Sequence, residues 1–233
     1  MTQIALTQME EPIKPRRPRR RKKDIEEGIV HAASEVVVEK GFAQTNIKDI
    51  MNRADMEPQI FYRRYDSLQD FYKKFTKDND FWLGGLVGEI DMDTESHEEK
   101  LIKLLNGLVD NLKKDSVMLE LLRWEIAEGN EITKNSAQKR EFGTLGLTKE
   151  YEILFKNTGI DIVGVATLLI SGIYYLSLHR DRSEFCEIDM REEKDIERIK
   201  KTITYLVRLL FQRKEQINRE QILGEKVRKD DHS

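Results

Sequence analysis

Only one proline follows residue 18 in this chain, and it interrupts a sequence otherwise patterned for helices. Pro58 lies in TNIKDIMNRADMEPQIFYRRY, residues 45–65. Inside a helix, proline removes an N–H donor and clashes with the preceding turn; in the first turn the missing N–H costs nothing. Pro58 therefore reads as the opening of a short helix begun at Glu57, with Ala54-Asp55-Met56 as the turn before it. The preceding segment reads as another short helix, to about Arg53. Thr45 is its expected N-cap, and Ile47, Ile50, Met51 and Ala54 face inward.

The same reading extends along the whole chain. From about Asp24 to Lys40, Ile25, Ile29, Ala32, Ala33, Val36 and Val37 recur at helical spacing, and Gly41 supplies a stop. Ser67 with Asp70 forms a capping-box pattern opening a long helix through Phe71, Phe75, Phe81 and Trp82. Ser96 with Glu99, then Asp115 or Ser116, open two further helices. Residues from Gly129 to Gly146 read as a looser stretch before Tyr151, Leu154 and Phe155. Asp161 caps the uncharged segment Ile162–Leu178. A last helix carries Ile196, Ile199, Ile203, Leu206 and Leu210 at a 3,4,3,4 spacing, the pattern of a bundle seam. The highly polar residues from about Glu215 are expected to fray. No segment alternates as a strand does, so the fold class is all-α.

Charge divides the chain unevenly. The net charge is -3, yet residues 1–77 hold 16 Lys/Arg against 12 Asp/Glu. Eight of the ten residues from Lys14 to Lys23 are basic, a run that resists compaction and reads as a disordered arm over residues 1–23. The single cysteine, Cys186, leaves no internal disulfide and fits a reducing compartment. The four histidines are scattered, without metal-ligand spacing, and no cluster of acid/base residues suggests catalysis. Neither a metal, a cofactor nor a catalytic residue is expected, and no signal peptide is legible. Ile162–Leu178 falls just short of the roughly 20 residues that span a bilayer. A buried helix in an oligomer core is the preferred reading over a membrane span, because the amphipathic helix after it needs an apolar partner.

Three short helices, a tight turn before the third and a long connecting helix describe a helix-turn-helix module. AASEVVVEKGFAQTNIKDIMNRADMEPQIFYRRYDSLQDF resembles the N-terminal domain of TetR/AcrR-type transcriptional regulators. The resemblance rests on Lys40-Gly41-Phe42, Thr45, Ile47, Ile50, Ala54, the Phe61-Tyr62 pair, Tyr65 and Ser67, and covers residues 24–72. The helix-turn-helix falls at about 45–65. The resemblance implies a homodimer on a palindromic double-stranded DNA operator, each subunit placing its third helix in the major groove. It implies a C-terminal helical domain over residues 73–213 for dimerisation and a small-molecule effector, followed by a polar tail, 214–233. Thr45 falls where the family caps its second helix beside a phosphate, Tyr62 at the position of a phosphate-binding tyrosine, and Lys48, Pro58, Gln59, Ile60, Arg63 and Arg64 are the other expected DNA-binding residues. The chain departs from the family's pattern at Asp55, where glycine is usual, at Leu68, where a lysine is usual, and at Ile60, where threonine is usual.

Groove chemistry agrees with these roles. Gln59 suits adenine N6/N7, Arg63 or Arg64 suits guanine O6/N7, and Ile60 suits a thymine methyl. Arg19, Arg20 and Arg21 of the arm suit phosphates or an adjacent minor groove. Arg63 and Arg64 read equally well, from the residues alone, as solvated partners of Asp66 or Asp70. In the C-terminal part, Trp82, Met118, Trp124, Glu125, Tyr151 and Tyr174 are candidate ligand contacts, with core packing as the competing reading. Leu168, Gly172, Ile196, Ile199, Ile203, Leu206 and Leu210 are the expected dimer interface. The reading is a cytoplasmic, dimeric DNA-binding repressor, not an enzyme; the alternative is a helical adaptor that kept the fold and lost operator recognition.

Overall fold

The computed structural model describes residues 21–79 and 95–230. Its N-terminal unit holds α1 (Lys22–Lys40), α2 (Ile47–Arg53), α3 (Pro58–Tyr62) and α4 (Leu68–Asn79). Helix α1 begins two residues before the sequence expectation, because the Asp24 carboxylate accepts the Arg21 backbone N–H at 3.2 Å. Its stripe of Ile29, Ala32, Ala33, Val36 and Val37 is buried as the spacing requires. Gly41, at φ 79°, ends it with its N–H on the Val37 carbonyl at 2.7 Å.

Thr45 does not cap α2. Asn46 does, with its side-chain oxygen accepting the Asp49 N–H at 3.0 Å. Phe42 is buried and draws the connecting residues inward, so Thr45 is buried too, and its hydroxyl donates to the Gly41 carbonyl at 2.8 Å. After α2 the chain reverses through Asp55 at φ 52°. Met56 N–H returns to the Met51 carbonyl at 3.0 Å, closing the turn before Pro58. Aspartate tolerates this left-handed conformation better than most residues, though less well than glycine. Ser67 caps α4 by accepting the Asp70 N–H at 3.1 Å.

Five further helices build the rest: α5 (His97–Lys114), α6 (Ser116–Ala127), α7 (Glu131–Leu154), α8 (Ile162–His179) and α9 (Glu193–Asp230). Ser96 and Glu99 form a reciprocal capping box, and Asp115 and Asp161 cap α6 and α8. The stretch around Gly129–Gly146, expected to be loose, is mostly helix. Asn130 starts α7 by accepting the Ile132 and Thr133 N–H groups at 2.9 and 3.0 Å. Gly143 and Gly146 sit in α7 facing open space, where each costs about 1 kcal/mol relative to alanine without breaking the helix.

The polar end of the chain is also helical, in place of the expected fraying from Glu215. Phe211 packs edge-on to Phe155 at 5.1 Å, the Lys214 ammonium lies 5.9 Å from that ring, and the Gln221 side chain donates to the Asn157 carbonyl at 2.9 Å. The inner seam of α9 is Ile196, Ile203, Val207 and Phe211, all buried. Ile196 and Ile203 therefore belong to the protomer's own core and not to a surface for a partner. Ile199 and Leu210 are half-buried against that core, while Leu206 is exposed beside Tyr205 and Leu209.

Helices α1 and α4 pack on α6 and α7, and an aromatic joint lies in this contact. Phe42 stacks on Trp124 of α6 with centroids 4.6 Å apart and planes at 5°. Tyr72 of α4 meets the same indole at 5.4 Å and donates its hydroxyl to the Phe42 carbonyl at 3.1 Å.

The turn at Asp55 yields a direct test. Asp55→Val should lower stability by about 1–2 kcal/mol, the cost of holding an ordinary L-residue in a left-handed conformation. Asp55→Gly should match or exceed the native chain in urea melts. Equal stability of the valine variant would contradict the turn geometry.

Candidate nucleic-acid interface

Helix α3 has five residues, and its register decides what the protein can present. Phe61 is fully buried against Tyr65 (5.0 Å between centroids) and Phe71 (5.6 Å). With Phe61 turned in, Pro58, Gln59, Tyr62 and Arg63 are turned out, and Tyr62 is 58% exposed. Gln59, Tyr62 and Arg63 stand at i, i+3 and i+4, so they form one outward face. Lys48 of α2 is exposed as well. The surface thus offers an amide, a phenol and a guanidinium from one exposed helix face, the groups that read base edges and bind phosphates.

Other expected contacts are placed differently. Ile60 is half-buried and packs on the core. Arg64 folds back over the end of α3, its guanidinium donating to the Ile60 carbonyl at 2.9 Å while its Nε is buried. The hydroxyl of Thr45 is committed inside, so it stands away from the outward face. Leu68 is half-buried against the core. Arg21 is exposed at the start of α1; Arg19 and Arg20 lie outside the described residues. Several nearby cations are held by acidic neighbours: Lys40 by Asp49 at 2.9 Å, Arg53 by Glu35 and Glu39, and Lys74 by Glu26. The hydrogen bond from Lys74 holds the Glu26 carboxyl below its ordinary range.

A second feature lies in the C-terminal part. A cavity of about 420 Å³ opens between α5, α7 and α8, within the range usual for small-molecule pockets. Glu125, Tyr151 and Tyr174 line it. Met118 does not; it is buried in the core. Trp124 is spent on the joint with Phe42 and Tyr72, and Trp82 lies outside the described residues. The cavity wall from α7, with Arg140, Thr144 and Thr148, escaped the sequence reading because that segment was read as loose. The capping Asn130 was the signal that could have revealed it.

Residues 29–74 match the family model for bacterial regulatory proteins of the tetR family. The N-terminal unit is therefore a domain of the tetR family of bacterial regulatory proteins. That family is one of regulators and not of enzymes. No curated protein sequence matches the chain. Among solved structures, a TetR-like transcriptional regulator from Rhodococcus sp. RHA1 is similar at 16% identity, with a TM-score of 0.61 over 80% of this chain and 97% of its own. The fatty acid degradation regulator FadR from Bacillus halodurans is similar at 16% identity and a TM-score of 0.60, over 79% of this chain and 97% of its own. FadR from Bacillus subtilis, in complex with stearoyl-CoA, is similar at 17% identity and a TM-score of 0.60, over 78% and 97%. At these identities the likeness establishes the shared helical fold of the regulator's two parts.

The joint beside the helix-turn-helix carries a pH signature. Burial pushes the Tyr72 hydroxyl up to about 12. Because the folded value exceeds the unfolded one of about 10, the stabilisation is complete below pH 10 and is lost as pH rises toward 12. The melting temperature of the protein should fall over that window. Tyr72→Phe should flatten the fall; an unchanged alkaline profile would contradict the burial of this hydroxyl.

Proposed function

We propose that the protein is a cytoplasmic homodimer that represses transcription by binding a palindromic operator and is released by a small ligand. The observation that carries the reading is the outward face of α3. Gln59 and Arg63 have the chemistry to read adenine and guanine edges, and Tyr62 with Lys48 that to grip phosphates. Lys48 and Arg63 form no ion pair among the described residues, which suits groups reserved for DNA.

Dimerisation is supported by what the single chain leaves uncovered. Helix α8 is the one described helix long and apolar enough to cross a membrane, yet only 17% of it is buried. Leu168 is 75% exposed on α8, Gly172 faces open space, and Tyr175 is exposed. Tyr205, Leu206 and Leu209 continue an apolar surface on α9. In a soluble regulator such a surface calls for a partner, and a second copy forms a closed, self-complementary four-helix contact. The interface moves accordingly from the inner seam of α9 to its outer one.

The cavity supports the ligand step, as does the stearoyl-CoA held by the Bacillus subtilis FadR of the same fold. A ligand shifts DNA binding only if it prefers one arrangement of the two α3 helices over another. The aromatic joint offers a connection, since α6 contributes Trp124 to it and Glu125 to the cavity wall.

Fluorescence anisotropy with a selected operator tests the reading. Tyr62→Phe should weaken binding to every sequence alike, while Gln59→Ala should cost about 1–3 kcal/mol and relax preference at one base pair. Native-like binding by both variants would overturn the proposed interface.

A further inference from the structure

The cavity between α5, α7 and α8 is apolar over most of its wall, with Leu101, Leu104, Leu108 and Ile170 among its lining. Its polar groups are unevenly matched. The Thr144 hydroxyl donates to the Glu141 carbonyl at 3.0 Å, that of Thr148 to the Thr144 carbonyl at 3.0 Å, and that of Tyr151 to the His97 carbonyl at 2.8 Å. Each of these protons points into the protein's own backbone, which leaves the oxygens as acceptors toward the cavity. Two carboxylates, Glu125 and Glu141, add more acceptors. Among the described residues the one lining cation is Arg140, whose side chain is 8% exposed, pairs with Glu125 and donates to Ser136 Oγ at 3.5 Å. Thr167, Ser171 and Tyr174 add hydroxyls that donate as well as accept, so among the described lining residues acceptors outnumber donors, and the positive charge of Arg140 is already paired with Glu125.

We infer that this cavity takes a single-chain amphiphile whose head donates hydrogen bonds and carries no negative charge, such as a primary amide or an ammonium, with the Arg140–Glu125 pair setting that preference. An amide can donate to Glu125 or to a threonine oxygen while its carbonyl accepts from Arg140. A carboxylate head has no proton to donate and brings a second negative charge beside Glu125. Burying such a charge among acceptors costs far more than burying an amide that finds partners. This specificity rests on the reading of the cavity as an effector site. It adds a consequence, because Glu125 directly follows Trp124, and a head group bound at Glu125 acts one residue from the stack on Phe42.

Isothermal titration of the full chain with decanamide, decylammonium and decanoate at pH 7 tests the inference. The amide and the ammonium should bind at least about tenfold tighter than decanoate, the scale of one buried group left without a partner. Glu125→Gln, which removes a carboxylate and leaves the Arg140 charge, should bring decanoate up to the affinity of decanamide. Circular dichroism checks that this variant folds; if it does not, the ranking measured on the native chain decides alone. Decanoate binding as tightly as decanamide, or none of the three binding at millimolar concentration, overturns the inference. Operator binding by the native chain and its Tyr62→Phe and Gln59→Ala variants is read independently, so a failure here is distinct from failure of the regulator reading.

Discussion

The burial of Phe61 governs how this protein meets the outside. A helix of five residues has no stability of its own, since nucleation is costly and so few residues add little propagation. What holds α3 in place is the tertiary contact of one ring against Tyr65 and Phe71, backed by Phe75 at 5.4 Å from Phe71. Complete burial of a phenylalanine in such a cluster is worth about 3–5 kcal/mol when measured by truncation, ample to offset the poor propensity of the segment. The same contact sets rotation about the helix axis. Once residue 61 points inward, residues 59, 62 and 63 point outward together.

Around that anchor, each neighbouring element limits one degree of freedom. Pro58 sets where α3 begins, and Asp55 sets the angle at which the chain arrives from α2. Ser67 restarts the chain as α4, which carries Phe71 into the cluster and Tyr72 to the joint with α6. The joint makes the DNA-facing unit and the helical bundle one packed body at this point, with Phe42, Tyr72 and Trp124 shared between them. A change in α6 is felt at Phe42, three residues before the buried Thr45 and four before the cap of α2. Side chains in contact thus connect α6, which lines the cavity at Glu125, to the segment that leads into α2.

Much of this was legible in the residues because it is local. A cap depends on a side chain and an N–H two or three positions away, so Ser67, Ser96 and Asp161 could be read directly, and Asp115 as one of two adjacent candidates. Thr45 misled because threonine and asparagine both cap well, and only the burial of Phe42 decides which of the two adjacent residues faces out. Helix α7 was hidden by glycines whose cost is borne by packing along the rest of the helix. The α9 seam was half right for a geometric reason. The stripe Ile196, Ile199, Ile203, Leu206, Leu210 drifts across the helix, whereas the buried set keeps to Ile196, Ile203, Val207 and Phe211. Arg64 and Trp124 have chemistry suited to binding, and only the fold reveals that their own chain already occupies them.

The central claim is that two copies present their α3 helices together on one face of a duplex. Selection of bound sites from random double-stranded DNA tests it most directly. The account predicts enrichment of an inverted repeat whose half-sites are centred about 10–10.5 base pairs apart, or a multiple of that helical turn. Enrichment of a single asymmetric site, or no enrichment over the starting pool at low salt, would contradict it.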